Sequence, residues 1–169
     1  RPRESLYRTA QAGLSTSLLA YVLPRQGRSL RSIGLTAKPS DLAWALLVLF
    51  FARMIELLIG TALGPQDLPL PEAKPALYLL AILPGAAEDG LVVRAFLMTE
   101  VAALTGSMAL ALVASVGFQA LYHLYYGVPR ALLWPGGFLV SAIYYANTRR
   151  ATPVILAHAL QNFWIFAVR

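Results

Sequence analysis

The stretch DLAWALLVLFFARMIELLIGTAL, residues 41–63, decides the fold class. It opens at Ser40-Asp41, a helix-capping pair, and closes near Gly60–Gly64. Between those ends only Arg53 and Glu56 interrupt an apolar run. A helix of about 20 such residues matches the hydrocarbon thickness of a bilayer. Arg53 and Glu56 stand three apart, so they share a helix face and read as a buried structural pair.

Working outward, further apolar runs occupy 76–99, 102–126, 131–147 and 152–168. The first is interrupted by Pro84-Gly85 and then by Glu88, Asp89 and Arg94, and the last starts with proline in its first turn, Thr152-Pro153. Residues 64–75, with four of the eleven prolines, Asp67 and Glu72, read as a loop. Residues 24–40 carry Arg25, Arg28, Arg31 and Lys38 and no acid, the mark of a cytoplasmic loop. Alternating the runs puts 24–40, the neighbourhood of Glu100 and Arg149-Arg150 on one side. Tyr125, Tyr126, Tyr144 and Tyr145 read as interfacial anchors, Arg149-Arg150 and the terminal Arg169 as basic flanks of the last span. The expected fold is therefore an all-α integral membrane protein, a bundle of about five to six transmembrane helices. It forms a single membrane domain over 1–169: residues 5–23 are an interfacial or first spanning helix, 24–40 the basic cytoplasmic loop, and 41–169 the core helices.

Composition agrees. Hydrophobic residues make up 58% of the 169 and charged residues only 13%, too few to cover the surface of a soluble domain. The net charge of +6 comes from bases placed in the short gaps between apolar runs, as lipid headgroups favour. No basic stripe interleaves with aromatics, so no nucleic acid partner is expected. Twelve of the fourteen bases are Arg, and with the abundance of Ala and Leu this points to a bacterial protein of the cytoplasmic membrane. The absence of cysteine excludes disulfides, thiolate catalysis and cysteine-based metal sites.

Ionisable groups inside apolar spans are costly and mark interior function. Glu88, Asp89, Arg94, His123 and His158 are such groups, with Gln119 and Asn162 nearby. They predict a polar cluster inside the bundle. His158 and Asn162 lie four apart on one helix face, a spacing that suits two donors aimed at one oxyanion.

The run Thr152 to Phe163, containing His158-Ala159-Leu160-Gln161-Asn162, closely resembles the His-x-x-x-Asn motif of the CPBP intramembrane proteases, which include the CAAX-processing endopeptidases and the bacterial Abi-type proteins. Phe118 to Gly127, with His123, resembles the second motif of that family, and Leu91 to Leu97, with Arg94, the end of its first motif. Ser29 to Leu35 has the family's look as well. The resemblance runs from about residue 29 to the end of the chain, with the motifs in the family's order. It implies an intramembrane endopeptidase that cleaves a membrane-associated protein or peptide. It further implies an acid and His123 as water activators, His158 with Asn162 as the oxyanion pair, and Arg94 as a structural arginine.

The first motif is degenerate. Counted back from Arg94, the family's paired glutamates fall on Asp89 and Gly90, while Glu88 stands one residue early. Phe118 precedes His123 by five residues rather than four. Asp89 is a methylene short and reaches a shared water only if its helix sits closer; Glu88 reaches only if a bulge near Pro84-Gly85 rotates it. The alternative is a catalytically inactive member of the fold, a scaffold or accessory subunit that binds a partner membrane protein. A zinc site of Glu88 or Asp89, His123 and His158 fits by residue type. However, no His-Glu-x-x-His pair is present, so neither metal nor other cofactor is expected. The expected partners are membrane lipid and the protein or peptide substrate.

Overall fold

The computed structural model describes residues 2–63, 78–124 and 127–167, and regular structure among them is entirely helical. In chain order come α1 (Pro2–Arg25), a 3-10 turn (Leu30–Ile33), α2 (Asp41–Leu63), α3 (Tyr78–Glu88), a π-helical segment (Asp89–Phe96), α4 (Leu97–Thr105), α5 (Met108–His123), α6 (Val128–Thr148) and α7 (Thr152–Ala167). Helix α3, the π-helical segment and α4 follow one another without a break, so the described residues form six helical rods. Helix α2 packs on α6 and α7, α5 on α4 and α6, α1 on α3, and α3 on α7. The loop expected over 64–75, Tyr125-Tyr126 and Arg169 lie outside the described residues.

Among the described residues one helix, Asp41–Ala62, is long and apolar enough by length and composition to cross a membrane. Only 22% of its apolar window is buried, and Phe50, Phe51, Leu57 and Leu58 point outward. Other rods miss that mark for separate reasons. Helix α1 carries Arg, Ser and Thr along its length, and α5 has only 16 residues.

The apolar run expected over 102–126 is divided. Helix α4 ends at Gly106, which takes a left-handed conformation with φ 69°, and Ser107 then caps α5 by accepting the Leu110 N–H at 3.2 Å. Such a cap contributes about 1 kcal/mol. The bulge near Pro84-Gly85 that Glu88 would need is not formed: α3 runs through Pro84 as helix, and the irregular segment lies at 89–96. Tyr145, expected as an interfacial anchor, is 1% exposed. Its hydroxyl meets the carbonyls of Ile33 and Ala95, each at 3.1 Å, and the Thr99 hydroxyl at 3.0 Å. Those partners explain its burial, because a phenol inside an apolar core must find hydrogen bonds. Tyr144 is half-buried, its ring 5.8 Å from that of Trp44.

The three segments that the alternation of runs put on one side do meet at one end. Arg28 pairs with Glu100 and Arg150 with Asp41. The Ala151 N–H donates to the Gly34 carbonyl at 2.9 Å, and the Thr152 hydroxyl donates to the Thr36 carbonyl at 2.7 Å while accepting the Thr36 N–H at 3.2 Å. Gly34 is required here. Its φ is 91°, and a Cβ would overlap the Arg149 carbonyl oxygen. Gly34→Ala is therefore expected to cost about 2–3 kcal/mol through backbone strain and displacement of this contact. Thermal unfolding in detergent measures it, and an unchanged midpoint would refute the constraint.

Candidate functional site

Helix α2 approaches α6 closely because α6 offers Gly136 and Gly137. A Cβ on Gly136 would come 2.7 Å from Ile59 Cδ1, and one on Gly137 would come 2.5 Å from Glu56 Oε1. Small residues at such crossings let helices interlock. The π-helical segment and α7 face this pair. Between them lies a narrow cleft with room for about one water, partly open to the outside. Glu56, Asp89, Arg94, Phe138, His158 and Gln161 supply its main polar and aromatic walls.

The π-helical segment builds the first wall. Its wider turn is marked by the Leu97 N–H bonding to the Val92 carbonyl, five residues back. Segments of this kind leave carbonyls needing partners, and here side-chain hydroxyls supply them. Ser115 donates to Val93 O at 2.8 Å, and Thr99 donates to Ala95 O at 2.6 Å. Arg94, 1% exposed, is held by Gln119 Oε1 at 3.2 Å and lies over the Phe138 ring at 4.7 Å from its centroid. A planar guanidinium suits both contacts at once. The expected Arg94–acid pair is not made directly: among the described residues neither Glu88 nor Asp89 ion-pairs with it, although Asp89 stays within range of its field.

Asp89 turns to α7 instead. Its Oδ2 lies 3.3 Å from His158 Nδ1, with both side chains mostly enclosed. Both residues line the cleft. Glu88 is half-buried, lies outside the cleft lining and makes no hydrogen bond or ion pair among the described residues. His123, 7% exposed, holds the carbonyl of Gln119 on its own helix at 2.7 Å through Nδ1. Phe138 touches both histidines, its centroid 5.1 Å from the ring of His123 and 5.9 Å from that of His158. Asn162 is half-buried and is not among the lining residues. The geometry thus unites Asp89 with His158, sets His123 against the Phe138 ring, and leaves Glu88 and Asn162 off the wall. Among the described residues, no three His, Asp or Glu side chains are arranged to hold a metal ion.

Two lining groups were not expected at the site. Glu56 is 8% exposed; it accepts from Arg53 at 2.6 Å and from Gln161 Nε2 at 3.2 Å. The sequence marks the Arg53–Glu56 pair by spacing, but only the glycine of α6 across from it tells that the carboxylate faces a cleft. Gln161 lies three residues after His158, on the same face of α7, a position the four-residue spacing to Asn162 overshadows.

A family model described as type II CAAX prenyl endopeptidase Rce1-like matches residues 71–164, more than half of the chain. The match spans Asp89, Arg94, His123, His158 and Asn162. No curated protein and no solved structure matches the chain.

Proposed function

Because the chain belongs to the type II CAAX prenyl endopeptidase Rce1-like family, we propose that it is an integral membrane endopeptidase cleaving a membrane-associated protein or peptide with a carboxylate-activated water. The observation that carries this reading is the Asp89–His158 contact at 3.3 Å on the wall of a partly open cleft. With Oδ2 given to the Nδ1–H of His158, Asp89 retains Oδ1 to take a proton from water. The resulting hydroxide attacks the scissile carbonyl carbon. His158, a neutral imidazole whose one proton sits on Nδ1, holds Asp89 toward the water, the amide of Asn162 serves the developing oxyanion, and the proton on Asp89 passes to the departing amine. His123, packed on Phe138, acts as a second imidazole of the same interior, and Asn162 adds its amide from α7. Arg94 fixes the helix that carries Asp89.

A single membrane domain over 1–169 and a place in the bacterial cytoplasmic membrane accompany this reading. They are supported by the outward Leu and Phe side chains of α2 and by the basic residues gathered where residues 26–40 meet Arg149-Arg150. A non-catalytic scaffold is the second reading, favoured by Gly90 at the family's second acid position. The two separate in one assay. Purified protein in lipid vesicles is given a fluorogenic peptide ending in a prenylated cysteine motif. Cleavage that falls by a factor of about 10² or more in His158→Ala supports the peptidase. No cleavage by the native protein supports the scaffold, and equal cleavage by native protein and variant removes His158 from the reaction.

A further inference from the structure

The glycine at the second acid position has a structural role of its own. Gly90 is buried, and a Cβ built on it would overlap Ile155 Cγ1 and come 3.5 Å from Ile155 Cα. The obstacle is the Cγ1 branch of Ile155, next to the α7 backbone rather than at the tip of a flexible side chain, so relief requires Ile155 to repack or α7 to shift. Ile155 precedes His158 by three residues and shares its face, while Gly90 follows Asp89 directly. The pair that meets across this gap is Asp89 with His158, at 3.3 Å. An aspartate is one methylene shorter than a glutamate.

We propose that Asp89 and Gly90 form a compensated pair: the missing side chain at 90 lets α7 seat Ile155 against the π-helical segment, and that closer seating brings His158 within reach of the short carboxylate. Gly90 is then a positioning residue of the cleft. A side chain at 90 and a short acid at 89 are incompatible, whereas a side chain at 90 with a longer acid, or with a smaller residue at 155, is acceptable. The catalytic part of this inference rests on the peptidase reading; its geometric part does not.

The chain has only two histidines, so its imidazoles can be followed directly by NMR of protein labelled with nitrogen-15 histidine and purified without a histidine tag. His123→Gln assigns the two sets of signals. Asp89→Asn gives the reference for a lost carboxylate contact at His158 Nδ1. Gly90→Ala is expected to shift the His158 signals in the direction of that reference, and both Asp89→Glu/Gly90→Ala and Gly90→Ala/Ile155→Ala are expected to return them. In the vesicle assay Gly90→Ala is expected to lower cleavage by at least about tenfold, and each double variant to recover most of it. Additive losses in the double variants are the mark of a merely structural glycine and overturn the inference, as does a Gly90→Ala spectrum identical to the native one. If the spectra behave as expected but the native protein cleaves nothing, the peptidase reading fails and the compensated pair stands.

Discussion

Asp89→Asn is expected to lower the cleavage rate by about 10²–10⁴, the usual contribution of a positioned general base. The substitution keeps the size of the side chain and can still meet His158, so folding should survive; what is lost is the ability to take a proton from water. Glu88→Gln serves as the comparison. Glu88 lies off the cleft and makes no hydrogen bond or ion pair among the described residues, so this variant is expected to cleave at close to the native rate. Initial rates on the prenylated peptide at saturating concentration distinguish the two. If Asp89→Asn keeps its rate and Glu88→Gln loses it, the base is misassigned by one residue and the π-helical segment must rotate during turnover.

The second large effect concerns stability. Arg94→Met is expected to destabilise the protein by about 3–5 kcal/mol, the range for removing one member of a buried polar set. Arg94 is enclosed, and its loss leaves Gln119 without its partner, removes the cation from the Phe138 face and leaves Asp89 without a nearby positive charge. Arg94→Lys is expected to recover little, since an ammonium cannot hydrogen-bond Gln119 while lying flat on an aromatic ring. Loss of helical signal on heating in detergent measures both variants. A stable Arg94→Met with no cleavage would move Arg94 from a structural role to one in the reaction itself.

What the sequence made legible followed from strong local signals. The apolar run at 41–63, with its Ser40-Asp41 opening, reads as a helix, and it is one. The basic segment 24–40, Glu100 and Arg149-Arg150 were grouped by counting crossings, and their ion pairs bear out the grouping. Less visible was the turn at Gly106-Ser107, because a Gly-Ser pair inside an apolar run is tolerated in membrane helices as often as it ends one. The π-helical segment has no periodicity of its own and so left no trace in the pattern.

In the site, Asp89, Arg94 and His158 were selected by motif and fall on the cleft walls. The position of His123 against Phe138 and the turn of Glu56 and Gln161 toward the cleft depend on α6, where glycines set the approach of α2. Packing partners across a bundle are not written into either strand of sequence alone. Only their assembly determines which of two neighbouring amides, Gln161 or Asn162, lines the wall.

On the peptidase reading proposed above, the backbone junction between Gly34, Thr36 and the start of α7 bears on where a bond would be cut. Ala151 and Thr152 are fastened to residues 34–36 by hydrogen bonds that leave α7 no freedom to slide along its axis. His158 follows Thr152 by six residues, about 9 Å of helix. The junction therefore works as a gauge: whatever lies level with it, the Asp89–His158 pair is held about 9 Å further along α7. An extended chain spans that distance in about three residues. A substrate anchored at the level of the junction would present to Asp89 a peptide bond about three residues from its anchor, so the choice of bond would be a property of helix length as well as of side-chain recognition.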